Sequence, residues 1–181
     1  MTELTLDKIA RLRVDIFKLF SELGVDPNVA SQYQILCLPE NIENQTDTTQ
    51  LVDSGESITL SKILKKEGVK CANSYDLGLS VKTSELRGVD LWLGSIWILN
   101  HAALPLLISV VGRLLGEKIQ KKLDAANQLK ASQESDDSQE TKVYADIKII
   151  KGKLSNEIKY NGDADTFLKI LKGLHEEQQS P

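Results

Sequence analysis

The sequence predicts an α+β fold, with an N-terminal helix plus short strands, one long hydrophobic helical segment and a C-terminal ββα unit. Apolar residues recur at three- and four-residue steps near the N-terminus and again beyond residue 103, a spacing typical of amphipathic helices. Apolar residues lie mainly at alternate positions over residues 143–149 and 154–160, on either side of a predicted turn at 151–153, as in half-buried strands. Residues 91–112 contain no charged side chain, although 27% of the chain is charged.

The N-terminal part begins with a helix predicted from Thr5 to Leu23, which Gly24 ends. Asp26 and Pro27 form the start of a short second helix, because aspartate caps helices and proline suits the first helical position. The pattern predicts a buried strand over residues 33–38 and a loop over the polar residues 40–56.

The next stretch predicts a short helix over residues 61–68, which Gly68 ends. Alternation from Tyr75 to Lys82 predicts a half-buried strand. Together, residues 1–88 are predicted to be an N-terminal α+β region.

The uncharged run predicts a hydrophobic helix that becomes amphipathic, over residues 89–127, with Asp90 as its N-cap. A helix over 91–112 is about 33 Å long, close to the hydrocarbon thickness of a bilayer. Trp92 and Trp97 fit one membrane interface. Basic residues beyond the run fit contact with lipid headgroups, namely Arg113, Lys118, Lys121 and Lys122.

Polar and small residues within this helix predict self-association. Asn100 and His101 lie near its midpoint, where a polar group in hydrocarbon requires a partner from a neighbouring copy or contact with a water-filled lumen. Ser109, Gly112 and Gly116 form a small-residue face that lets two helix backbones approach closely. With the two tryptophans, these are the expected membrane and oligomerisation residues.

Pro105 offers an alternative interpretation of the same run. It would divide the run into two helices, near 90–103 and 105–127, each too short to span a bilayer. The apolar segment would then be buried in the core of the protein or in a partner interface.

The C-terminal part follows a polar linker predicted at residues 128–142. Residues 143–174 predict a β-hairpin and a short helix that Asp163 caps and that ends at Gly173, with 175–181 as a tail. Because this ββα unit is too small to be stable alone, we expect it to dock elsewhere on the chain or on a second copy.

Several classes of function are disfavoured by composition and by missing motifs. A net charge of −4 argues against nucleic acid as a partner, and the first residues lack the pattern of a secretory signal. Cys37 and Cys71 have no metal-ligand spacing, so we expect both to be reduced core residues. We find no nucleotide-binding, hydrolase or zinc motif, and therefore expect no catalytic residue, no cofactor and no metal. Catalysis would need a pocket with a shifted carboxylate or histidine pKa.

The layout from about residue 88 to 174 resembles the small effector-associated components of bacterial conflict systems, which act against phage. The resemblance rests on one hydrophobic helix, a polar linker, and a terminal hairpin and helix around residues 147–152 and 161–167. It implies a protein that acts with a separately encoded effector or sensor.

Two functional hypotheses follow. The first is a non-enzymatic accessory protein at the bacterial inner membrane, with a cytoplasmic C-terminus, which forms a homo-oligomer and couples a protein partner to the lipid. The second is a soluble, cytoplasmic adaptor or scaffold whose apolar segment is buried.

Overall fold

A five-stranded mixed sheet is the centre of the structure, a computed structural model that describes residues 18, 20–43, 47–84, 90–129, 141–151 and 154–179. The strands are β1 Ile35–Leu38, β2 Val52–Ser54, β3 Cys71–Asn73, β4 Lys82–Ser84, β5 Leu91–Ile98, β6 Lys142–Lys151 and β7 Leu154–Asp163. The α-helices are α1 Pro27–Ala30, α2 Gly55–Lys66, α3 Leu104–Leu129 and α4 Ala164–Gln179. Short 3-10 helices cover Thr48–Gln50 and His101–Ala103. The predicted α+β class is confirmed.

The central sheet has the strand order β3-β1-β5-β6-β7. Strand β1 is parallel to β3 and antiparallel to β5, whereas β5 is parallel to β6 and β6 is antiparallel to β7. Strands β2 and β4 form a separate two-stranded parallel sheet. Because β5 and β6 are parallel, they cannot be joined by a tight turn, and the connection between them is a long crossover that includes α3.

The first part of the uncharged run is strand β5, so the helix predicted over residues 91–112 is wrong. A continuously apolar run has neither helical nor strand periodicity, and a strand buried on both faces reads in this way. Gly94 has a φ of +67° at a bulge in β5. A Cβ atom there would lie 2.8 Å from the carbonyl oxygen of Leu38, so glycine allows the close approach of β1.

The second part of the run is the start of α3. Asp90 does not cap a helix; its Oδ1 accepts a hydrogen bond from the backbone N–H of Lys142 at 3.1 Å. Pro105 lies in the first turn of α3, where backbone N–H groups have no acceptor within the helix. The N–H group that proline lacks therefore costs no hydrogen bond, and Pro105 lies at the start of a helix instead of breaking one. Of the two helices in the alternative interpretation, only the second is present. Among the helices of the described residues, none is long and apolar enough to cross a membrane.

Apolar residues cover both faces of the sheet. The first face packs against α2, α3 and α4 through buried side chains such as Leu60, Leu107 and Phe167. The second face carries Leu36 and Trp97, which pack with side chains from the N-terminal region and the loops. Those side chains are Phe20, Leu23, Val25, Ile42, Leu51, Leu77 and Leu79.

The N-terminal predictions are partly confirmed. Strand β1, the Asp26 cap of α1 and the positive φ of Gly24 agree with the sequence interpretation. The strand predicted over 75–82 is wrong, because the Asn73 side chain accepts hydrogen bonds from the N–H groups of Tyr75 and Asp76 and turns the chain. Most of the helix predicted over residues 5–23 lies outside the described residues.

One further boundary differs from the prediction. Helix α2 begins at Gly55, inside the predicted loop, because the Ser54 side chain accepts a hydrogen bond from the N–H of Ser57 at 3.0 Å.

Cys37 and Cys71 are free and buried, with their sulfur atoms 3.8 Å apart, as expected of reduced core residues.

The C-terminal ββα unit is present and docks as predicted, because β6 pairs with β5 along most of its length. The Asp163 cap is confirmed by a hydrogen bond from the N–H of Thr166 to its Oδ2 at 2.8 Å. The helix end predicted at Gly173 is wrong, since α4 continues to Gln179. Helix α3 extends to Leu129, and residues 130–140 of the predicted linker lie outside the described residues.

Two adjacent leucines of α3 test the assignment of this helix to the core. Leu107 is fully buried, whereas Leu106 is 37% exposed. We expect Leu107→Ala to lower the free energy of unfolding by about 2–5 kcal/mol, because it removes buried methyl groups and leaves a cavity. Leu106→Ala, the matched control, should cost less than about 1 kcal/mol. Urea unfolding of both variants measures the difference, and equal losses would contradict the packing described above.

Candidate functional site

Charged residues occupy the second face of the sheet where β5, β6 and β7 lie side by side. The register aligns Trp97, Lys148 and Glu157 in one row across these strands. The next row contains Ser95, Asp146 and Lys159. Because side chains two residues apart on a strand share a face, both rows point to the same side of the sheet.

Lys148 is almost completely buried in the first row. Its ammonium group contacts the Glu43 carboxylate and lies 3.9 Å from Glu157 Oε1. It also lies 5.0 Å from the centroid of the Trp97 ring, within the range of a cation–π interaction. Two carboxylates and one aromatic ring thus hold this ammonium group away from water.

Asp146 is the buried carboxyl group of the second row, with 5% of its surface exposed. Burial is the main cause that raises its pKa from 3.8 to about 7. The negative charge of Glu157 and a hydrogen bond with Glu157 contribute in the same direction, and the charge of Lys159 opposes them. The side chain is therefore protonated in part of the molecules near neutral pH. Its Oδ1 receives no hydrogen bond from a donor of the described residues.

Burial also lowers the pKa of Lys148 to about 8, although the charge of Glu157 opposes this shift. An acid with a raised pKa and a base with a lowered pKa are thus two residues apart on β6. Such a pair can accept or release protons near neutral pH, and shifted groups of this kind are concentrated at functional sites.

A cavity of about 360 Å³ opens beside Asp146, and we call it the Asp146 pocket. Its polar and aromatic lining consists of Glu40, Asn41, Glu43, Trp92, Asp146 and Lys159. The Trp92 indole N–H donates a hydrogen bond to Glu40 Oε2 at 2.8 Å. The Asn41 side chain bonds to the backbone of Gln50 and Val52, which fixes the wall that the loop contributes.

The lining of the Asp146 pocket consists of carboxyl, amide, amine, apolar and aromatic side chains. The lining residues that the structure describes carry no hydroxyl, thiol or imidazole group. The described parts of the chain contain no group of three or more His, Cys, Asp or Glu side chains able to hold a metal ion. The expectation that the protein is not an enzyme stays a prediction.

The predicted membrane residues occupy separate places in the fold. Trp97 is buried within the second face, where its N–H donates to Ser95 Oγ at 2.8 Å. Trp92 is half-buried beside Glu40. Asn100 caps the 3-10 helix by accepting a hydrogen bond from the N–H of Ala102 at 3.0 Å. His101 is half-buried and lines, with Asn100, a separate cleft of about 690 Å³.

The predicted small-residue face lies on the side of α3 that points away from the sheet. Ser109 and Gly116 are exposed, and Gly112 is half-buried. A Cβ atom added at either glycine would meet no atom within 4 Å. These three residues are thus open to another molecule.

The predicted headgroup residues include two that bind acidic groups within the chain. Arg113 forms an ion pair with Glu67 at 2.7 Å. Lys118 forms one with Glu56 at 3.1 Å and lies 3.4 Å from the backbone oxygen of Asp90. Lys121 is exposed, and the side chain of Lys122 lies outside the described set. Arg113 and Lys118 therefore join α3 to α2.

Sequence reasoning missed the Asp146 pocket. The alternation on β6 places Asp146 and Lys148 on one face, and the polar face of a half-buried strand is normally exposed to solvent. The burial of this face depends on the neighbouring strands. Trp97 lies beside Lys148 because residues 91–98 form a strand that is parallel to β6, and the sequence did not predict this strand.

Comparisons with protein-family models, with curated proteins and with solved structures found no match to this chain.

The raised pKa of Asp146 predicts a distinct dependence of stability on pH. The folded chain binds the Asp146 proton more tightly than the unfolded chain, so the stability from this group is complete below about pH 4 and is lost as pH rises to about 7. Asp146→Asn removes this loss. We expect its stability relative to wild type to rise between pH 4 and 7 by on the order of a few kcal/mol, measured by urea unfolding.

Asp47 supplies a control of opposite sign. Hydrogen bonds from the side chain and backbone of Thr49 lower its pKa. The stability that Asp47 contributes is therefore present above its unfolded pKa and is lost as pH falls. Asp47→Asn should lose stability relative to wild type as pH rises through the acid range. A flat profile for Asp146→Asn would contradict the burial of its carboxyl group.

Proposed function

We propose that this protein is a non-enzymatic adaptor that self-associates through the outer face of α3. The observation that supports this proposal is a stripe of small and exposed apolar residues on that face. It consists of Ser109, Gly112, Gly116, Ile119 and Leu123, and we call it the α3 stripe.

The α3 stripe lies opposite the side of the helix that packs on the sheet. Its residues follow each other at steps of three and four, which keeps them on one side of a helix with 3.6 residues per turn. The core side of α3 consists of other residues, chiefly Leu104, Leu107, Val111 and Leu114. One apolar side is enough for α3 to pack on the sheet. A second side with apolar or small residues therefore favours a contact with another molecule.

The shape of the α3 stripe favours a second copy in antiparallel orientation. Its N-terminal half is small, with Ser109 and Gly112, whereas its C-terminal half carries Ile119 and Leu123. A twofold axis near Gly116 would place Leu123 of each copy against Ser109 of the other. A parallel pair would place large residues against large ones and small against small, leaving gaps.

The size of the α3 stripe indicates a reversible dimer. From Ser109 to Leu123 the helix rises about 21 Å. A helix pair of that length alone is small beside the 1,200–2,000 Å² or so that stable complexes bury. We therefore expect a dissociation constant on the order of micromolar.

In this proposal the small-residue face of α3 joins two copies of the protein outside a membrane. The dimer would expose two copies of the β6–β7 hairpin and α4 to a separately encoded protein partner. The resemblance to bacterial conflict components implies defence against phage as the setting. Insertion into a membrane is not part of the proposal.

Replacing the large residues of the α3 stripe tests self-association. We expect the double variant Ile119→Asp/Leu123→Asp to be monomeric where wild type dimerises, because two carboxylates would be desolvated at the interface. Sedimentation velocity across 1–200 μM, roughly the range of such affinities, measures this.

The chain offers a closely matched control. Ile119 and Leu123 are 41% and 52% exposed, while Val29 and Tyr75 elsewhere on the surface are 42% and 54% exposed. Val29→Asp/Tyr75→Asp should leave the dimer intact. Wild type that is monomeric throughout the range, or a control that dissociates equally, would disprove the proposed interface.

The glycines of the α3 stripe give an independent test. In a monomer, Gly116→Ala should raise the free energy of unfolding by about 0.5–1 kcal/mol, because glycine is a poor helix former and the new Cβ meets no atom. Gly116→Leu should weaken self-association, because it fills the point of closest approach. Circular dichroism melts and sedimentation separate the two effects, and unchanged association in Gly116→Leu would argue against a close helix pair.

A further inference from the structure

Strand β7 forms one border of the central sheet. It pairs with β6 on one side, and the described residues supply no strand on its other side. Alternate residues of an edge strand direct their N–H and C=O groups away from the sheet, where these groups can bond a further strand. With ten residues, β7 offers a long row of such groups, whereas β3 at the opposite border has three residues.

The outer side of β7 lacks the features that usually protect an edge strand from pairing. Such strands are commonly short, bulged or interrupted by proline. The pairing of β7 with β6 runs over all ten residues without a bulge, and the strand contains no proline. Lys159 is exposed over 75% of its side chain and Asn161 is also exposed, so a neighbouring strand could approach there.

The charged residues of β7 indicate what that neighbouring strand is. Glu157 and Lys159 are two positions apart and therefore lie on the same face of the sheet. If a second copy of β7 lies antiparallel with a twofold axis at Ile158, each Glu157 is directly opposite Lys159 of the other copy. Opposite charges in such positions stabilise an antiparallel pair. Glu157, which lies 3.7 Å from Lys159 of its own copy, would gain a further ammonium neighbour.

Other arrangements of two β7 strands are less favourable. A twofold axis at Glu157 or at Lys159 would oppose like charges, and so would parallel pairing in register. An axis at Ile158 also brings the two Ile158 side chains together on the first face, with Tyr160 of the other copy at the diagonal position. Both residues are only partly buried against the core, so the contact would cover apolar surface.

We propose that the outer edge of β7 pairs with β7 of a second copy, antiparallel about Ile158, which joins two five-stranded sheets into one continuous sheet. This contact goes beyond the proposed function and does not depend on it, because the α3 stripe points away from the sheet and β7 is at its border. A protein with two different twofold contacts can associate beyond a dimer. Contact between two strands is small beside the roughly 1,200–2,000 Å² that stable complexes bury, so we expect a dissociation constant on the order of millimolar.

Disulfide trapping detects a contact as weak as this one. The background is Ile119→Asp/Leu123→Asp, in which the α3 stripe does not contribute, and the native Cys37 and Cys71 are buried. Two Ile158→Cys side chains would face each other across the axis with Cβ atoms about 4.5–5.5 Å apart, close to the separation in a disulfide. Oxidised glutathione supplies the oxidant, and non-reducing electrophoresis measures the rate at which the linked dimer forms.

Lys159→Cys is the matched control. Lys159 is exposed whereas Ile158 is half-buried, but two Lys159→Cys side chains would lie at diagonal positions about 7–8 Å apart, beyond the reach of a disulfide. Ile158→Cys should therefore form the linked dimer on the order of tenfold faster. Random collision would favour the more exposed cysteine. Equal rates, or a faster rate for Lys159→Cys, would overturn the proposal.

A change of charge tests the register. Lys159→Glu added to Ile158→Cys places two carboxylates opposite each other in both pairs, and should slow trapping on the order of fivefold. Lys172→Glu makes the same change of charge at an exposed position on α4 and should leave the rate nearly unchanged. Equal slowing by both substitutions would mean that net charge and not strand pairing sets the rate, which would contradict the proposed register.

A measurement without any substitution in β7 covers the case in which these variants fold poorly. In ¹H–¹⁵N spectra of Ile119→Asp/Leu123→Asp, raising the protein concentration to roughly millimolar should shift the amide signals of residues 157–161 and leave those of β3 in place. Signals of β7 that do not move would overturn the contact. Because the α3 stripe is disabled in this background, the result is independent of the outcome for the proposed function.

Discussion

The central position of β5 is the constraint on which the rest of the structure depends. This strand pairs with β1 on one side and with β6 on the other, so all of its neighbours in the sheet are set by its register. Both of its faces are buried, one against the helices and the other, which carries Trp97, against the N-terminal core. A strand in this position is expected to be mostly apolar, and six of the eight residues of β5 are Leu, Ile or Trp.

Because residues 91–98 form a strand, α3 can contain only the part of the apolar run that follows them. The apolar run that seemed long enough for a bilayer is divided between two elements, and α3 receives only its second half. The N-terminal half of α3 covers the sheet. Beyond Leu115 the helix extends with polar residues and with Ile119 and Leu123 exposed. Surplus apolar surface on a helix already packed by its other face is typical of a protein–protein contact.

The same strand pairing concentrates charge on the second face. Parallel pairing of β5 with β6 brings Lys148 beside Trp97, and antiparallel pairing of β6 with β7 brings Glu157 beside Lys148. Burial of these groups is costly unless each has a partner of opposite charge. Lys148 has such partners, whereas Asp146 faces a second carboxyl group and keeps its proton to a higher pH. The sheet thus holds an ion-paired ammonium group beside a pair of carboxyl groups.

Local patterns in the sequence determined the elements whose signals are local. The Asp26 and Asp163 caps, strand β1 and the β6–β7 hairpin were predictable, because caps and alternation depend on residues a few positions apart. The small-residue face of α3 was also predictable, but the sequence did not decide whether this face points to the sheet or away from it. Tertiary structure alone decided that Leu91–Ile98 is a strand, since an apolar run satisfies a core helix, a membrane helix and a central strand equally well. It alone also formed the Asp146 pocket, because Glu40, Trp92 and Asp146 come together only through pairing between strands distant in sequence.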